Sequence, residues 1–125
     1  MTIKETFALA FQNHKKKNFK VAEELYNKIL KIDSNHIVTH NNLGLIYQEL
    51  GQYEKAINCY EKVIQIQPDL PAPYNNLGNI LKELGEFKKA LSYYKKAIEI
   101  KSNIADIHNN LGIVFKELKE FQKAK

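Results

Sequence analysis

A chain of 125 residues fits one domain and is long enough to bury a core without disulfide staples. Hydrophobic residues make up 44% and charged residues 26%, and no apolar run nears the ~20 residues that a membrane-spanning helix needs. The net charge of +5 rests on lysine alone; without the forked guanidinium of arginine, which reads phosphates and base edges, the basic balance argues against a nucleic-acid partner.

The N-terminal stretch MTIKETFALAFQNHKKK lacks the charged-then-apolar layout of a secretory leader. The lone Cys59 leaves no internal disulfide and no multi-cysteine metal site. Both features point to a reducing, cytoplasmic compartment.

Internal repetition organises everything else. The string Asn-Asn-Leu-Gly occurs at 41–44, 75–78 and 109–112, so Leu43, Leu77 and Leu111 stand 34 residues apart (77 − 43 and 111 − 77). Glu49-Leu50, Glu83-Leu84 and Glu117-Leu118 keep the step. So do Tyr53, Phe87 and Phe121, then Ala56, Ala90 and Ala124, and Tyr60 with Tyr94.

The first unit, 3–36, is a divergent copy. Phe19, Ala22, Tyr26 and Ile29 hold the register, but Ala10 stands where Gly44 would be and Asn13 where Tyr47 would be. In the second unit, 37–70, Leu43, Ile46, Tyr47 and Leu50 form one apolar helical stripe, which predicts a helix over Ile37–Leu50. Gly51-Gln52 breaks the pattern, and Ala56, Ile57, Tyr60, Val63 and Ile64 build a second helix over Tyr53–Ile66 that stops before Pro68. In the third unit, 71–104, Asp69 is placed to cap the first helix, whose first turn tolerates Pro71 and Pro73. Gly85 makes its internal break and Ser102-Asn103 its exit. The fourth unit, 105–125, is incomplete. Lys119 stands in the glycine position, where a turn is still expected, and almost no second helix follows. Val114, Phe115, Leu118 and Phe121 are therefore expected to lack their cover. Together the units form a single domain over 1–125.

Leu43, Gly44, Tyr47, Ala56, Tyr60 and Pro68 in the second unit carry a family pattern, as do Tyr74, Leu77, Gly78, Leu81, Ala90, Tyr94 and Ala97 in the third. This resembles the tetratricopeptide repeat over nearly the whole chain, with His40 and His108 in the slot of a usual aromatic and Ser102 in place of the proline. The resemblance implies an all-α, right-handed α-solenoid of about three and a half antiparallel helix hairpins that holds other proteins and is not an enzyme. Gly44, Gly78 and Gly112, with Ala56 and Ala90, suit helices packed at the usual ~8–10 Å. A hairpin cannot bury its apolar face alone, so stability comes from stacking.

The resemblance also implies a concave groove lined by the first helix of each hairpin. That places Asn41, Asn42, Leu45 and Glu49 along it, with Val38 and Gln48 beside them. The next two units supply Asn75, Asn76, Asn79 and Lys82, then Asn109, Asn110, Ile113 and Lys116. The first unit offers Phe7, Phe11, His14 and Lys15. Paired asparagines inside helices need a reason, because their amides compete with the backbone for hydrogen bonds. Asn42, Asn76 and Asn110 look like the asparagine ladder in the superhelical arm of O-linked N-acetylglucosamine transferase, where amides grip the backbone of an extended peptide. The alternative is that these amides bond within or between hairpins. Three such bonds, at a net ~0.5–1.5 kcal/mol each, supply at most about half of the ~8 kcal/mol behind micromolar affinity. The remainder calls for apolar anchors, and Leu45, Ile113, Phe7 and Phe11 are the candidates.

Other readings find less support. The carboxylate clamp of chaperone-tail-binding relatives is absent: in one register Phe7, Phe11, Ala72 and Asn76 hold its polar and basic slots, in the other Asp106 and Asn110 hold the basic ones. His36 and His40 lie four apart but lack the glutamate of a metalloprotease motif, and packing is the better reading for His40 and His108. Cys59 reads as a structural thiol. No cofactor or metal is implied. Two other roles stay open: the substrate-recognition arm of a larger enzyme such as a glycosyltransferase, and self-association through the uncapped C-terminal end.

Overall fold

The computed structural model of the chain describes residues 1–123, with side chains placed as far as Glu120. The Phe121 and Ala124 side chains of the repeat register lie outside the described residues. The described residues form an all-α helical repeat of about three and a half hairpins. They cluster into two compact units, Met1–Ile66 and Gln67–Lys125. The first holds α1 (Ile3–Lys15), α2 (Phe19–Ile32), α3 (Ile37–Glu49) and α4 (Tyr53–Ile66); the second holds α5 (Pro71–Glu83), α6 (Phe87–Ile100) and α7 (Ala105–Lys123).

Local chemistry sets the helix ends. Thr2 and Glu5 make a capping box on α1, with Thr2 Oγ1 accepting from the Glu5 amide at 3.1 Å and Glu5 Oε1 accepting from the Thr2 amide at 3.1 Å. The α1, α3 and α5 ends share one device. At the α3 end Gly51 has φ +74, its amide reaches the Gln48 carbonyl at 3.1 Å, and the Gln52 amide reaches the Tyr47 carbonyl at 2.8 Å. This Schellman pair recurs at Gly85 and, with a non-glycine residue, at Lys17 (φ 64). Asp69 does not cap α5. The cap position falls on Leu70 with no side-chain bond, because Pro71 already sets the backbone of the first helical residue.

Each hairpin closes on a fully buried tyrosine: Tyr26, Tyr60 and Tyr94. A Cβ on Gly44 would lie 2.7 Å from the Tyr60 ring, and one on Gly78 would lie 2.5 Å from the Tyr94 ring. Glycine at 44 and 78 is therefore a clearance for a ring, filled tightly on the other side. Ala10 holds the same place against α2 and is itself fully buried. A Cβ on Gly112 meets nothing among the described residues.

Two expectations for the last unit are corrected. α7 runs without a break from Ala105 through Lys119 to Lys123, so no turn forms at Lys119. Val114 is fully buried, as is Ile107, because both lie on the face of α7 that packs against the preceding hairpin. Phe115, by contrast, is exposed, and Leu118 only partly covered.

Candidate functional site

The buried tyrosines present a shared problem whose solutions reach the first helices. A buried phenol hydroxyl needs a partner, and burial has pushed the pKa of Tyr26, Tyr60 and Tyr94 upward, so each is a hydroxyl and not a phenolate. Tyr60 donates to Gln48 Oε1 at 2.8 Å. One repeat earlier Tyr26 meets His14 Nδ1 at 3.2 Å. One repeat later the same position is Lys82, whose ammonium has no acceptor, and Tyr94 turns to Asn79 Oδ1 at 2.6 Å. Asn79 thus serves the scaffold in the place where lysine fails.

The paired asparagines are also partly engaged. Asn42, 8% exposed, donates from Nδ2 to the Tyr26 hydroxyl oxygen at 3.2 Å. Asn110 Nδ2 donates to Asn75 Oδ1 at 3.2 Å, bringing together two of the sequence-predicted residues from α7 and α5. An amide has two N–H donors and a carbonyl acceptor, so one scaffold bond fixes it without exhausting it. Asn41, Asn75, Asn76, Asn79, Lys82 and Asn110 are half-buried, while Leu45, Glu49, Asn109, Ile113 and Lys116 are exposed. Glu49 pairs with Lys17 Nζ at 3.0 Å. Exposed large apolar side chains on the first helices are Leu9, Phe11, Val38, Leu45, Ile113 and Phe115.

The hydroxyl partners are residues that periodicity alone did not single out for this role. The signal was present: His14, Gln48 and Lys82 share one repeat position, and only the first two can accept a hydrogen bond.

The histidines have structural partners. His36 Nδ1 lies 2.8 Å from Thr39 Oγ1. His40 Nε2 lies 2.8 Å from the Ser34 carbonyl, and His108 Nε2 lies 2.6 Å from the Ser102 carbonyl. Tyr74 donates to the Pro68 carbonyl at 2.9 Å from the same repeat position. This slot therefore closes the turn between hairpins, with imidazole and phenol as interchangeable donors. Burial, then the Glu23 carboxylate, pushes the Cys59 thiol up to about 11, which keeps it protonated at neutral pH. Burial and Glu23 likewise push Tyr47 to about 12. Among the described residues no three His, Cys, Asp or Glu side chains gather as a metal site. No described helix is long and apolar enough to cross a membrane.

Among the described residues, each unit carries a surface cleft. One, of about 490 Å³, is lined by Ile3, Lys4, Phe7, His36 and Val38 in the first unit. The other, of about 350 Å³, lies among Gly85–Lys89 and Leu118 in the second.

The sequence model of a family described as tetratricopeptide repeat matches residues 5–69, 36–103 and 69–125. No curated protein sequence matches. Among solved structures, the Sgt2 TPR domain from Aspergillus fumigatus is similar at 21% identity and a TM-score of 0.87, over 97% of this chain and 82% of that one. A MamA protein is similar at 26% identity and a TM-score of 0.84, over 98% of this chain and 67% of that one. The first TPR of Spaghetti (RPAP3), bound to the HSP90 peptide SRMEEVD, is similar at 17% identity and a TM-score of 0.86, over 94% and 93%.

Proposed function

The chain belongs to the tetratricopeptide repeat family, and from that premise we propose that it is a protein-interaction module taking an extended peptide along its first helices. The observation that carries this reading is the company the amides keep. Asn42 and Asn110 are fixed by bonds to Tyr26 and Asn75, and they share their helices with exposed Leu45 and Ile113. Fixed amides lose little freedom on binding, and apolar neighbours provide the desolvated area that hydrogen bonds alone lack. The cleft beside Phe7 and Val38 adds room for one apolar side chain of the partner. Because the Asn42 and Asn110 amides are partly engaged, the working ladder draws also on Asn76, Asn41 and Asn109.

The test is affinity selection of peptides on the purified chain, followed by titration of the best binder against variants. Asn76→Ala and Asn109→Ala should each weaken binding by about 2- to 10-fold, the span of one hydrogen bond of ~0.5–1.5 kcal/mol. Leu45→Ala and Ile113→Ala should weaken it further. Unchanged affinity in all four variants rejects the first-helix face as the site.

A second reading, association through α7, is favoured by one observation: Gly112 has open space where Gly44 and Gly78 hold tyrosine rings, and Phe115 is 51% exposed nearby in sequence. Sedimentation across a hundredfold concentration range tests it. A constant monomer mass rejects it, and Phe115→Lys should return any dimer to monomer.

A further inference from the structure

We propose that His14 and Tyr26 form a proton-controlled latch on Asn42: neutral His14 takes the Tyr26 hydroxyl hydrogen, which leaves the Tyr26 oxygen to hold the Asn42 amide, and protonation of His14 disrupts that hold. Three groups from three helices meet at one oxygen. Asn42 Nδ2 of α3 lies 3.2 Å from it and His14 Nδ1 of α1 also lies 3.2 Å from it, while Tyr26 itself belongs to α2. Asn42 can only donate from its nitrogen, so the hydroxyl oxygen accepts there. The single hydroxyl hydrogen is then free for His14 Nδ1, and the latch assigns that nitrogen the acceptor role, with the neutral ring's proton on Nε2.

Adding a proton to His14 reverses this. Nδ1 becomes a donor that competes with Asn42 Nδ2 for the hydroxyl oxygen, and the hydroxyl hydrogen must swing away from Nδ1 and lose its acceptor in a buried site, which reorients the oxygen that holds Asn42. The surroundings give the imidazolium little relief. The rings of Phe19 and Tyr26 from α2 stand edge-on at 6.0 and 6.1 Å, and Phe11 of α1 at 6.3 Å. The charged groups around it are few: Glu49 of α3, which is already paired with Lys17 at 3.0 Å, and Lys15 of α1, whose Nζ lies over Phe11 at 4.9 Å. Burial accordingly holds the His14 pKa below its ordinary 6.5, although Glu49 pulls the other way.

The repeat supplies the control. Gln48, at the position of His14 one unit on, accepts from Tyr60 and does not titrate. The second hairpin keeps the acceptor without the switch. Acid would thus alter an amide of the proposed peptide face in the first unit alone. That consequence rests on the peptide-binding reading; the latch itself does not.

The test uses the free, intact, 15N-labelled chain, so it stands apart from whether any peptide binds. At pH 8 the His14 ring nitrogens should report the Nε2–H tautomer. Between pH 8 and 5 the Asn42 side-chain amide resonances should move with the same midpoint as the His14 ring, below 6.5. In His14→Gln the Asn42 resonances should stay flat over that range. An Nδ1–H tautomer at pH 8, an Asn42 amide indifferent to the His14 titration, or an undiminished shift in His14→Gln would each overturn the proposal. The tautomer measurement needs no variant and decides the matter even if the substitution impairs folding.

Discussion

Lys17 and Lys119 occupy the same position of the 34-residue repeat, yet the chain turns sharply at the first and runs on as helix through the second. The residue is the same, so residue preference did not decide. A non-glycine residue in the left-handed region costs roughly 1–2 kcal/mol. At Lys17 that cost is offset by α2, which brings Ala22, Leu25, Tyr26 and Ile29 into the core of the first unit. Each fully buried large apolar side chain contributes ~1.5–3 kcal/mol. Beyond Lys119 the described residues offer no such packed helix, and continuing α7 keeps the backbone bonds without the strain. Gly112 shows the same difference from the other side. It is the clearance for a ring, and among the described residues no ring fills it.

The largest effect should come from removing the burial that sustains the Lys17 turn. Tyr26→Ala is expected to lower stability by ~3–5 kcal/mol in urea unfolding, the usual loss for a buried aromatic. A loss under about 1 kcal/mol would mean that the turn stands on its local bonds alone.

The glycine contrast should change sign between hairpins. Gly78→Ala forces a methyl against the Tyr94 ring and should cost about 1–3 kcal/mol, whereas Gly112→Ala should gain up to ~1 kcal/mol from helix propensity. Thermal unfolding of the two variants side by side decides this; losses of equal size would refute the clearance argument.

The lysines should also respond oppositely. Lys17→Gly relieves a strained turn and should stabilise, while Lys119→Gly weakens a helix interior and should destabilise, each by roughly 0.5–1 kcal/mol. Amide exchange along α1 and α7 would localise the two changes.

The smallest effect is pH-dependent. The folded His14 pKa lies below its ordinary 6.5, so between those two values the unfolded chain binds a proton that the folded chain refuses. Stability from this group is therefore complete above pH ~6.5 and declines as pH falls toward the folded pKa. Urea midpoints at pH 7.5 and 5.5 should drop less in His14→Gln than in the parent; equal drops would assign the acid sensitivity elsewhere.

Much of this architecture was legible in the sequence. The first helices begin 34 residues apart, at Ile3, Ile37, Pro71 and Ala105, in step with the repeat, and the apolar stripes put the α4 bounds at Tyr53 and Ile66. Gly51 and Gly85 announced their turns through the one backbone region that favours glycine. The paired asparagines were visible as an anomaly, but their partners were not. Asn42 bonds to a tyrosine in the preceding hairpin, and Asn110 to an asparagine on α5, and a helical period says which residues share a face without saying which atoms meet across it.

Sequence by itself thus determined the repeat, the all-α class and the need for a small residue at Gly44 and Gly78. These follow from periodicity and volume, which are properties of a chain read one residue at a time. Tertiary structure alone decided that Lys17 turns and Lys119 does not, that Val114 is covered, and that Asn79 stands in for Lys82 beneath Tyr94. Each of those outcomes depends on a partner far along the chain, either a buried surface that offsets strain or an acceptor that a hydroxyl requires, and only packing brings that partner within reach.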